Sequence, residues 1–223
     1  MVDGGSRDAT LGILRESPHL RWTSEPDQGQ TDAINKGLRR ARGTWRMWLN
    51  ADDYLLPGAL ARVAEATAQR PGPRVFYGDC LFVDAQKNLL REKREGAFSF
   101  RQLLFYGCFI PSTSCFFHED VLAGGVWLDP QMKVCMDFDF YIRLALRGYG
   151  FCHIPEPLAA FRWHASNISK TFHARRRAER LQIQRQALRQ LKWRGLSSRP
   201  FLWVAYQAFV VKRNLRRLAG LRP

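Results

Sequence analysis

Residues 45–53 read Trp-Arg-Met-Trp-Leu-Asn-Ala-Asp-Asp, a largely apolar run that ends abruptly in polar and acidic residues. Residues 45–49 predict a short buried strand. Two carboxylates directly after such a strand are costly unless a cation neutralises them, because like charges raise one another's pKa. A divalent metal is a suitable partner, and oxygen ligands favour Mg²⁺ or Mn²⁺ over zinc. The alternative is that Asp52 or Asp53 caps the following helix.

Helical patterns flank this strand. Ile34 and Leu38 recur at helical spacing within residues 31–41, which predicts an amphipathic helix, and Pro57 suits the first turn of a helix that extends to about residue 69. Strand-like and helical segments continue to alternate further along the chain. We predict strands from residue 75, over residues 112–117, 151–154 and 158–161, a hairpin over 88–95, and helices over 137–147 and from about 170 to 191. Such alternation favours an α/β architecture with a mostly parallel sheet flanked by helices.

Acidic residues follow predicted strands or begin a helix at three places: Asp3, the Asp52–Asp53 pair, and Asp137 with Asp139. In open α/β sheets ligands bind outside the carboxyl ends of the strands. These acids are therefore the candidate functional residues. For Asp137 the alternative is a helix N-cap.

Several blocks of sequence, taken in order, resemble family 2 glycosyltransferases over about residues 2 to 170. The blocks are V-D-G-G-S-x-D-x-T from Val2, S-E-P-D-x-G-x-x-D-A-I-N-K-G from Ser24, W-L-N-A-D-D from Trp48, M-D-F-D from Met136, and E-P-L with F-R-W-H between Glu156 and His164. Each block alone is a weak signal, and their order and spacing together are specific.

The resemblance implies a GT-A fold, a nucleotide-diphospho-sugar donor and a divalent cation, Mg²⁺ or Mn²⁺. It also implies transfer with inversion to a hydroxyl-bearing glycan or lipid-linked acceptor, as in polysaccharide or glycoconjugate synthesis. The predicted donor-binding residues are Asp3, Gly4, Asp27, Gly29, Asn35, Asn50 and Asp52. Among them, Asp3 resembles the carboxylate that contacts the nucleotide base, and Asp27 lies in the loop beside it. Gly4 and Gly29 allow close backbone approach to the nucleotide or serve as turn residues, and the two roles are compatible.

The resemblance also assigns the metal and the base. Asp52, with Asp53 beside it, occupies the place of the D-x-D acids that hold the metal on the diphosphate, and Asn50 stands where many relatives have the first acid. His164 occupies a position where some relatives have a histidine near the metal. Asp137 matches the general base, which takes the proton of the acceptor hydroxyl.

The chain departs from the family pattern at its start, because family members carry a first strand and helix before the V-D-G-G block. We therefore expect residues 1–169 to form an N-terminally incomplete GT-A domain. The alternative function is that of a non-catalytic GT-A-fold protein that binds a partner or an anionic membrane surface.

Charge is unevenly distributed along the 223 residues. The net charge is +15, of which residues 170–223 contribute +14, with 15 Lys and Arg against the single acid Glu179. We predict a near-neutral domain followed by a basic helical tail. Nucleic-acid binding is not expected, because the tail has no recognised binding motif and its arginines do not alternate with stacking aromatics.

The tail contains an apolar run over residues 201–211, well short of the roughly 20 residues needed to span a bilayer. It predicts either a helix at a membrane interface or an ordinary helix packed on the domain. In the first case Arg199, Lys212, Arg213, Arg216 and Arg217 would face anionic headgroups. Five cysteines without a C-x-x-C pair and the lack of a signal-peptide pattern favour a cytoplasmic protein, in that first case peripheral on the cytoplasmic face of the membrane.

Overall fold

The central element of the fold is a nine-residue strand, Val75–Val83, whose β-branched and aromatic residues suit a buried position in a sheet. The computed structural model describes residues 1–164, 167, 172–193, 196 and 198–219, with the side chains of Arg199 and Arg217 outside the description. Within these residues the central strand pairs with three other strands. It therefore organises the main sheet.

The described strands, in chain order, are β1 (Val2–Asp3), β2 (Thr23–Ser24), β3 (Trp45–Arg46), β4 (Tyr54–Leu55), β5 (Val75–Val83), β6 (Leu89–Lys93), β7 (Cys115–His118) and β8 (Phe151–Arg162). The described helices are α1 (Thr10–Arg15), α2 (Gln30–Arg40), α3 (Ala59–Gln69), α4 (Phe100–Tyr106), α5 (Asp120–Ala123), α6 (Met136–Leu146), α7 (His173–Gln190) and α8 (Arg199–Leu218). A 3₁₀ turn, Ser112–Ser114, precedes β7.

The sheet pairing corrects one expectation. The main sheet has the order β3-β7-β5-β8-β4, with β6 paired to β5, and β1 and β2 form a separate two-stranded sheet. Among the described strands only β1 with β2 and β5 with β8 pair in parallel; the other four pairings are antiparallel. The α/β class is confirmed, whereas the prediction of a mostly parallel sheet is wrong, because hairpins and returning strands flank the one long parallel pair.

Helices cover both faces of the main sheet. Alternate residues of β5 point in opposite directions, so Val75 and Tyr77 pack with α4, α6, α7 and α8, whereas Phe76 packs with Ala59 and Val63 of α3. Both hydrophobic clusters are made of fully or nearly fully buried side chains. The central strand is thus buried on both sides.

The predicted helices agree with the described ones to within a few residues, and the strands agree less well. The strand predicted over residues 45–49 pairs only at Trp45–Arg46. The two strands predicted over 151–154 and 158–161 form a single strand, β8, whose pairing with β5 shifts register near Asp79. A shift of this kind absorbs the prolines at 155 and 157 without ending the strand.

The two helices of the basic tail pack on the domain. Ile183, Leu188 and Leu202 belong to the same hydrophobic cluster as the core of residues 1–164. Arg213, which the sequence predicted to face anionic headgroups, is buried instead and pairs with the buried Glu95. The predicted domain boundary between residues 169 and 170 lies outside the described residues. None of the described helices combines the length and the apolar character that crossing a bilayer requires.

The parallel pairing of β5 with β8 depends on a glycine at position 78. A Cβ on Gly78 would lie 2.4 Å from Leu158 Cγ and 2.8 Å from the carbonyl oxygen of Glu156. We expect Gly78→Ala to lower the free energy of unfolding by about 1–3 kcal/mol, because the added methyl group has no space. Gly72→Ala is the control, since a Cβ there meets no atom within 4 Å. Urea denaturation measures both variants, and equal stability of the two would contradict the prediction.

Candidate active site

Asp3 ends β1 and is held by hydrogen bonds from the residues that follow it. Its Oδ2 accepts from the backbone N–H groups of Gly5 and Ser6, each at 3.0 Å, and from the Ser24 hydroxyl at 2.6 Å. The hydroxyls of Ser24 and Ser6, followed by the Ser6 amide, lower the pKa of Asp3 to about 2. Asp3 is therefore a fixed anion, and among the described residues its Oδ1 accepts only from the Ser6 hydroxyl.

Gly4 and Asp27 lie side by side. A Cβ on Gly4 would stand 2.2 Å from Asp27 Oδ2, so no other residue fits there without displacing that carboxylate. The other oxygen of Asp27 accepts from the backbone N–H of Gly29 at 2.8 Å. Gly29 has a φ of 114°, which favours glycine, and α2 begins directly after it. The first two motif blocks therefore lie side by side.

The loop after β3 connects α2 to the end of β8 through Asn50 and Asp53. Gln30 Nε2 donates to Asn50 Oδ1 at 2.7 Å, and Asn50 Nδ2 donates to Asp53 Oδ2 at 3.0 Å. Asp53 Oδ1 accepts from the backbone N–H of Arg162 at 2.9 Å. Both oxygens of Asp53 are engaged within the protein and its side chain is buried. This arrangement corrects the prediction for Asp53, whose position suits a structural role and does not suit a metal ligand.

Asp52 has a different partner, the imidazole of His164. Asp52 Oδ2 lies 2.8 Å from His164 Nε2, and both side chains are partly exposed. The backbone N–H of His164 donates to Asn167 Oδ1 at 2.6 Å, which fixes the segment that carries the imidazole. The structure therefore brings these two predicted residues into contact.

The donor set fits a divalent cation that bridges to a substrate. One carboxylate and one imidazole are suitable ligands for Mn²⁺, and Mg²⁺ is commonly bound by one or two carboxylates together with substrate phosphates. Within the described part of the chain, no group of three or more His, Cys, Asp or Glu side chains could hold a metal by itself. Arg162 Nε is buried without a hydrogen-bond partner among the described residues, which leaves a cationic donor beside the acidic loop.

Asp137 occupies the first turn of α6. Its Oδ1 accepts from the backbone N–H of Phe138 at 2.7 Å, and Cys108 Sγ lies 3.6 Å from its Oδ2. Burial raises the pKa of Asp137, while the Phe138 amide and the Cys108 thiol oppose that rise. A carboxylate of this kind can take a proton near neutral pH more readily than an exposed one.

The N-cap alternative for Asp137 does not describe this helix, which has Cys135 at its N-cap position. Glu179, on α7, satisfies the amides at the helix start: its carboxylate accepts from the backbone N–H groups of Lys133, Val134 and Cys135 at 2.9–3.0 Å. Sequence reasoning missed this role, and the only available signal was that Glu179 is the single acid of the tail.

The start of α2 and the start of α6 are joined directly. The Thr31 hydroxyl lies 2.9 Å from the carbonyl oxygen of Met132 and 3.1 Å from Met136 Sδ. Lys133 Nζ donates to the carbonyl oxygen of Gln28 at 2.8 Å. Lys133 thus adds a cation beside the Gly29 turn. This position could not be predicted from the sequence, because a lone lysine in an irregular segment forms no pattern.

Asn35 is not part of this surface, which corrects its prediction as a donor-binding residue. Its side chain is buried, and its amide both donates to the carbonyl oxygen of Leu128 and accepts from the backbone N–H of Leu128. Asn35 therefore anchors α2 to the segment before α6. Asp139, one of the acids that follow predicted strands or begin a helix, is buried and pairs with Arg143 at 2.6 Å.

Comparison with known proteins identifies the family and the fold. The family model described as Glycosyl transferase family 2 matches residues 1–122. The chain belongs to this family. A solved structure of residues 1–349 of TarS from S. aureus in complex with UDP-GlcNAc superposes with a TM-score of 0.62 over 85% of this chain and 62% of that one, at 14% identity. A mannosyltransferase, PcManGT, from Pyrobaculum calidifontis in complex with GDP-Man and Mn²⁺ gives 0.59 over 96% and 65%, at 18% identity. The GT-A fold is confirmed.

Sequence relatives are similar over part of their length. A PGL/p-HBAD biosynthesis glycosyltransferase of Mycobacterium bovis is 33% identical over 149 residues, which cover 64% of this chain and 56% of that protein. Chondroitin synthase of Escherichia coli is 25% identical over 163 residues, 69% of this chain and 23% of that one. The chain therefore spans about half of the first relative's length and a quarter of the second's.

Burial of Asp53 predicts a specific pH dependence of stability. Desolvation raises its pKa from 3.8 to about 6, so the folded state binds a proton more tightly than the unfolded state. Protonated Asp53 therefore contributes fully to the stability of the folded state below pH 4. This contribution falls by about 3 kcal/mol as the pH rises towards 6. We expect Asp53→Asn to lose less stability than the wild type between pH 4 and pH 7. Urea unfolding at several pH values measures the difference, and parallel curves for the two proteins would contradict it.

Proposed function

We propose that this chain carries the catalytic centre of an inverting glycosyltransferase, which moves a sugar from a nucleotide-diphospho-sugar to a hydroxyl acceptor in glycoconjugate synthesis. The observation that supports it most is the convergence of the motif blocks. Gln30 contacts Asn50, Thr31 contacts Met136, and Asp52 contacts His164. The first two contacts lie at the start of α2, and the last two join residues more than 100 positions apart in sequence.

Asp3, Gly4, Asp27 and Gly29 form the proposed nucleotide end of the site. Four hydrogen bonds hold the Asp3 carboxylate in place. It can therefore accept a hydrogen bond from an N–H group of the nucleotide base without reorganising, which favours recognition of the base edge that carries this group. Because Gly4 has no side chain, the ligand can approach the backbone beside Asp27 closely. Asn50 supports the acidic loop in this proposal, since its amide is engaged by Gln30 and Asp53.

Asp52 and His164 would hold the divalent cation, and Mg²⁺ or Mn²⁺ bound there would stabilise the charge that develops on the departing diphosphate. Lys133 adds positive charge beside the Gly29 turn, and Arg162 adds it beside Asp53. This charge favours an anionic leaving group independently of any metal. Both cations belong to the chain itself and need no rearrangement to be present.

Asp137 is the proposed general base. As the acceptor oxygen attacks the anomeric carbon from the face opposite the leaving group, its proton passes to a carboxylate oxygen of Asp137. The bond to the nucleoside diphosphate breaks, and the configuration at that carbon inverts. The neighbouring thiol of Cys108 and amide of Phe138 hold the carboxylate in place for this transfer.

Two substitutions test catalysis and nucleotide binding separately. We expect Asp137→Asn to lower turnover of UDP-GlcNAc or GDP-Man by about a hundredfold or more while nucleotide binding remains, because only the proton acceptor is lost. Asp52→Ala should weaken Mn²⁺-dependent binding of UDP or GDP by about tenfold or more. Release of nucleoside diphosphate and calorimetric titration measure these effects.

Asp120→Asn, which removes an exposed acid on α5, is the matched control and should behave as wild type. Retained turnover in both Asp137→Asn and Asp52→Ala would overturn the assignment. A wild-type chain that shows no saturable metal-dependent nucleotide binding would favour the non-catalytic alternative.

The pH profile tests Asp137 more closely. A base works only when ionised, and its raised pKa means that kcat/KM falls as the pH drops through a higher value than an exposed aspartate would give. Cys108→Ala removes a hydrogen bond that favours the ionised form, so the acidic limb should move to higher pH. Cys108→Ser, with a stronger donor, should move it back. An acidic limb that is the same in all three proteins would contradict the prediction.

A further inference from the structure

The inward face of α8 fixes how this helix is oriented. Leu202 is buried in the main hydrophobic cluster, the Phe201 ring meets Phe105 edge-on at 5.9 Å, and the Tyr206 ring stacks on Tyr106 at 5.7 Å. These contacts leave little freedom for rotation about the helix axis. The opposite face of α8 must therefore point away from the domain.

A buried ion pair locks the same orientation. Arg213 Nη2 lies 3.3 Å from Glu95 Oε1, and the Glu95 side chain is completely buried. Lys93 contacts the same carboxylate oxygen at 2.9 Å. Turning α8 would leave a buried carboxylate short of one of its cations, which is strongly unfavourable.

The outward face of α8 is apolar. At about 100° per residue its exposed apolar side chains fall within about a third of the helix circumference, opposite Leu202 and Arg213. They are Trp203 (63% exposed), Val204 (57%), Val211 (56%), Leu215 (61%) and Leu218 (86%). Gln207 and Asn214 fall on the same arc beside Trp203, and Val204, Val211, Leu215 and Leu218 form its uninterrupted part. Monomeric soluble proteins rarely expose a contiguous apolar stripe of this kind without using it.

Positive charge lies on one side of this stripe, with Lys212 about 60° beyond Leu215 around the helix and Arg216 about 100° beyond it, towards Arg213. Lys212 and Arg216 are exposed on α8, and the helix contains no acidic residue. A second copy of the chain docked through the same face would bring like charges together. An anionic surface, in contrast, satisfies the apolar stripe and the cations at once.

An apolar cleft of about 510 Å³ lies beside the same helix. Its walls are formed by aromatic side chains, among them Phe201 and Phe209 of α8, and by Leu196, with Arg101 and Lys192 also lining it. Apolar walls with cations are the chemistry that suits an acyl chain and its anionic headgroup. The cleft thus favours the same kind of partner as the outward stripe.

We propose that α8 binds the surface of an anionic membrane, lying in the interface plane with Trp203, Val211 and Leu215 inserted at the headgroup boundary. Tryptophan is enriched at this depth in membranes, where one part of its ring is apolar and the other polar. This membrane binding is separate from the proposed transferase activity, and it can be measured without assaying that activity.

Vesicle sedimentation with the full chain tests the proposal. The wild type should bind vesicles of phosphatidylglycerol and phosphatidylcholine more tightly than vesicles of phosphatidylcholine alone. Trp203→Gln/Val211→Gln/Leu215→Gln should weaken binding to the anionic vesicles about tenfold or more. Lys212→Gln/Arg216→Gln should weaken it and reduce its dependence on salt.

The matched control is Ile13→Gln/Leu60→Gln/Leu89→Gln, which removes three apolar side chains of the same exposure, 61–62%, from other elements. The control should bind vesicles as the wild type does, and thermal unfolding by circular dichroism checks that all variants are folded. Absence of wild-type binding, or equal binding by the α8 triple variant, would overturn the proposal. The proposal would also be overturned if the wild type formed a dimer that does not bind vesicles, and if the α8 triple variant were monomeric.

Discussion

The pairing of β8 with both β5 and β4 is the constraint on which the candidate site depends. Tyr54 pairs with Ala160, and this register brings the acidic loop before β4 beside the residues that end β8. Asp53 then binds the amide of Arg162, and Asp52 reaches His164 two residues further on. A shift of one residue would reverse the sides to which these carboxylates point. The close approach of Leu158 to Gly78 lies where the pairing of β5 with β8 shifts register.

Local sequence patterns predicted the helices well because their apolar spacing is contained in the segment itself. The helix predicted over residues 31–41 is Gln30–Arg40, and that predicted over 137–147 is Met136–Leu146. The strand-end pattern indicated Asp3 and Asp52, whereas Asp27 and His164 followed from the resemblance alone. Strand pairing was predicted poorly, since it depends on partners that are distant in sequence.

The errors at the site have the same physical origin. Asp53 and Asn35 have the residue types expected of ligand contacts, yet both satisfy backbone groups of other segments, Arg162 and Leu128 respectively. Nothing near them in sequence indicates those partners. The basic tail shows the converse: its composition suggests a solvated appendage, whereas Glu179, Arg180 and Arg213 are all used in packing against the domain.

The three hydrogen bonds from residues 133–135 to Glu179 also have a consequence for the order in which the molecule is made. During synthesis on the ribosome, the segment that carries Asp137 emerges well before the residue that completes its first turn. Until α7 is translated, the amides of Lys133, Val134 and Cys135 lack this carboxylate, which is their partner in the finished fold. The contact that satisfies these three amides can therefore form only after Glu179 has been translated.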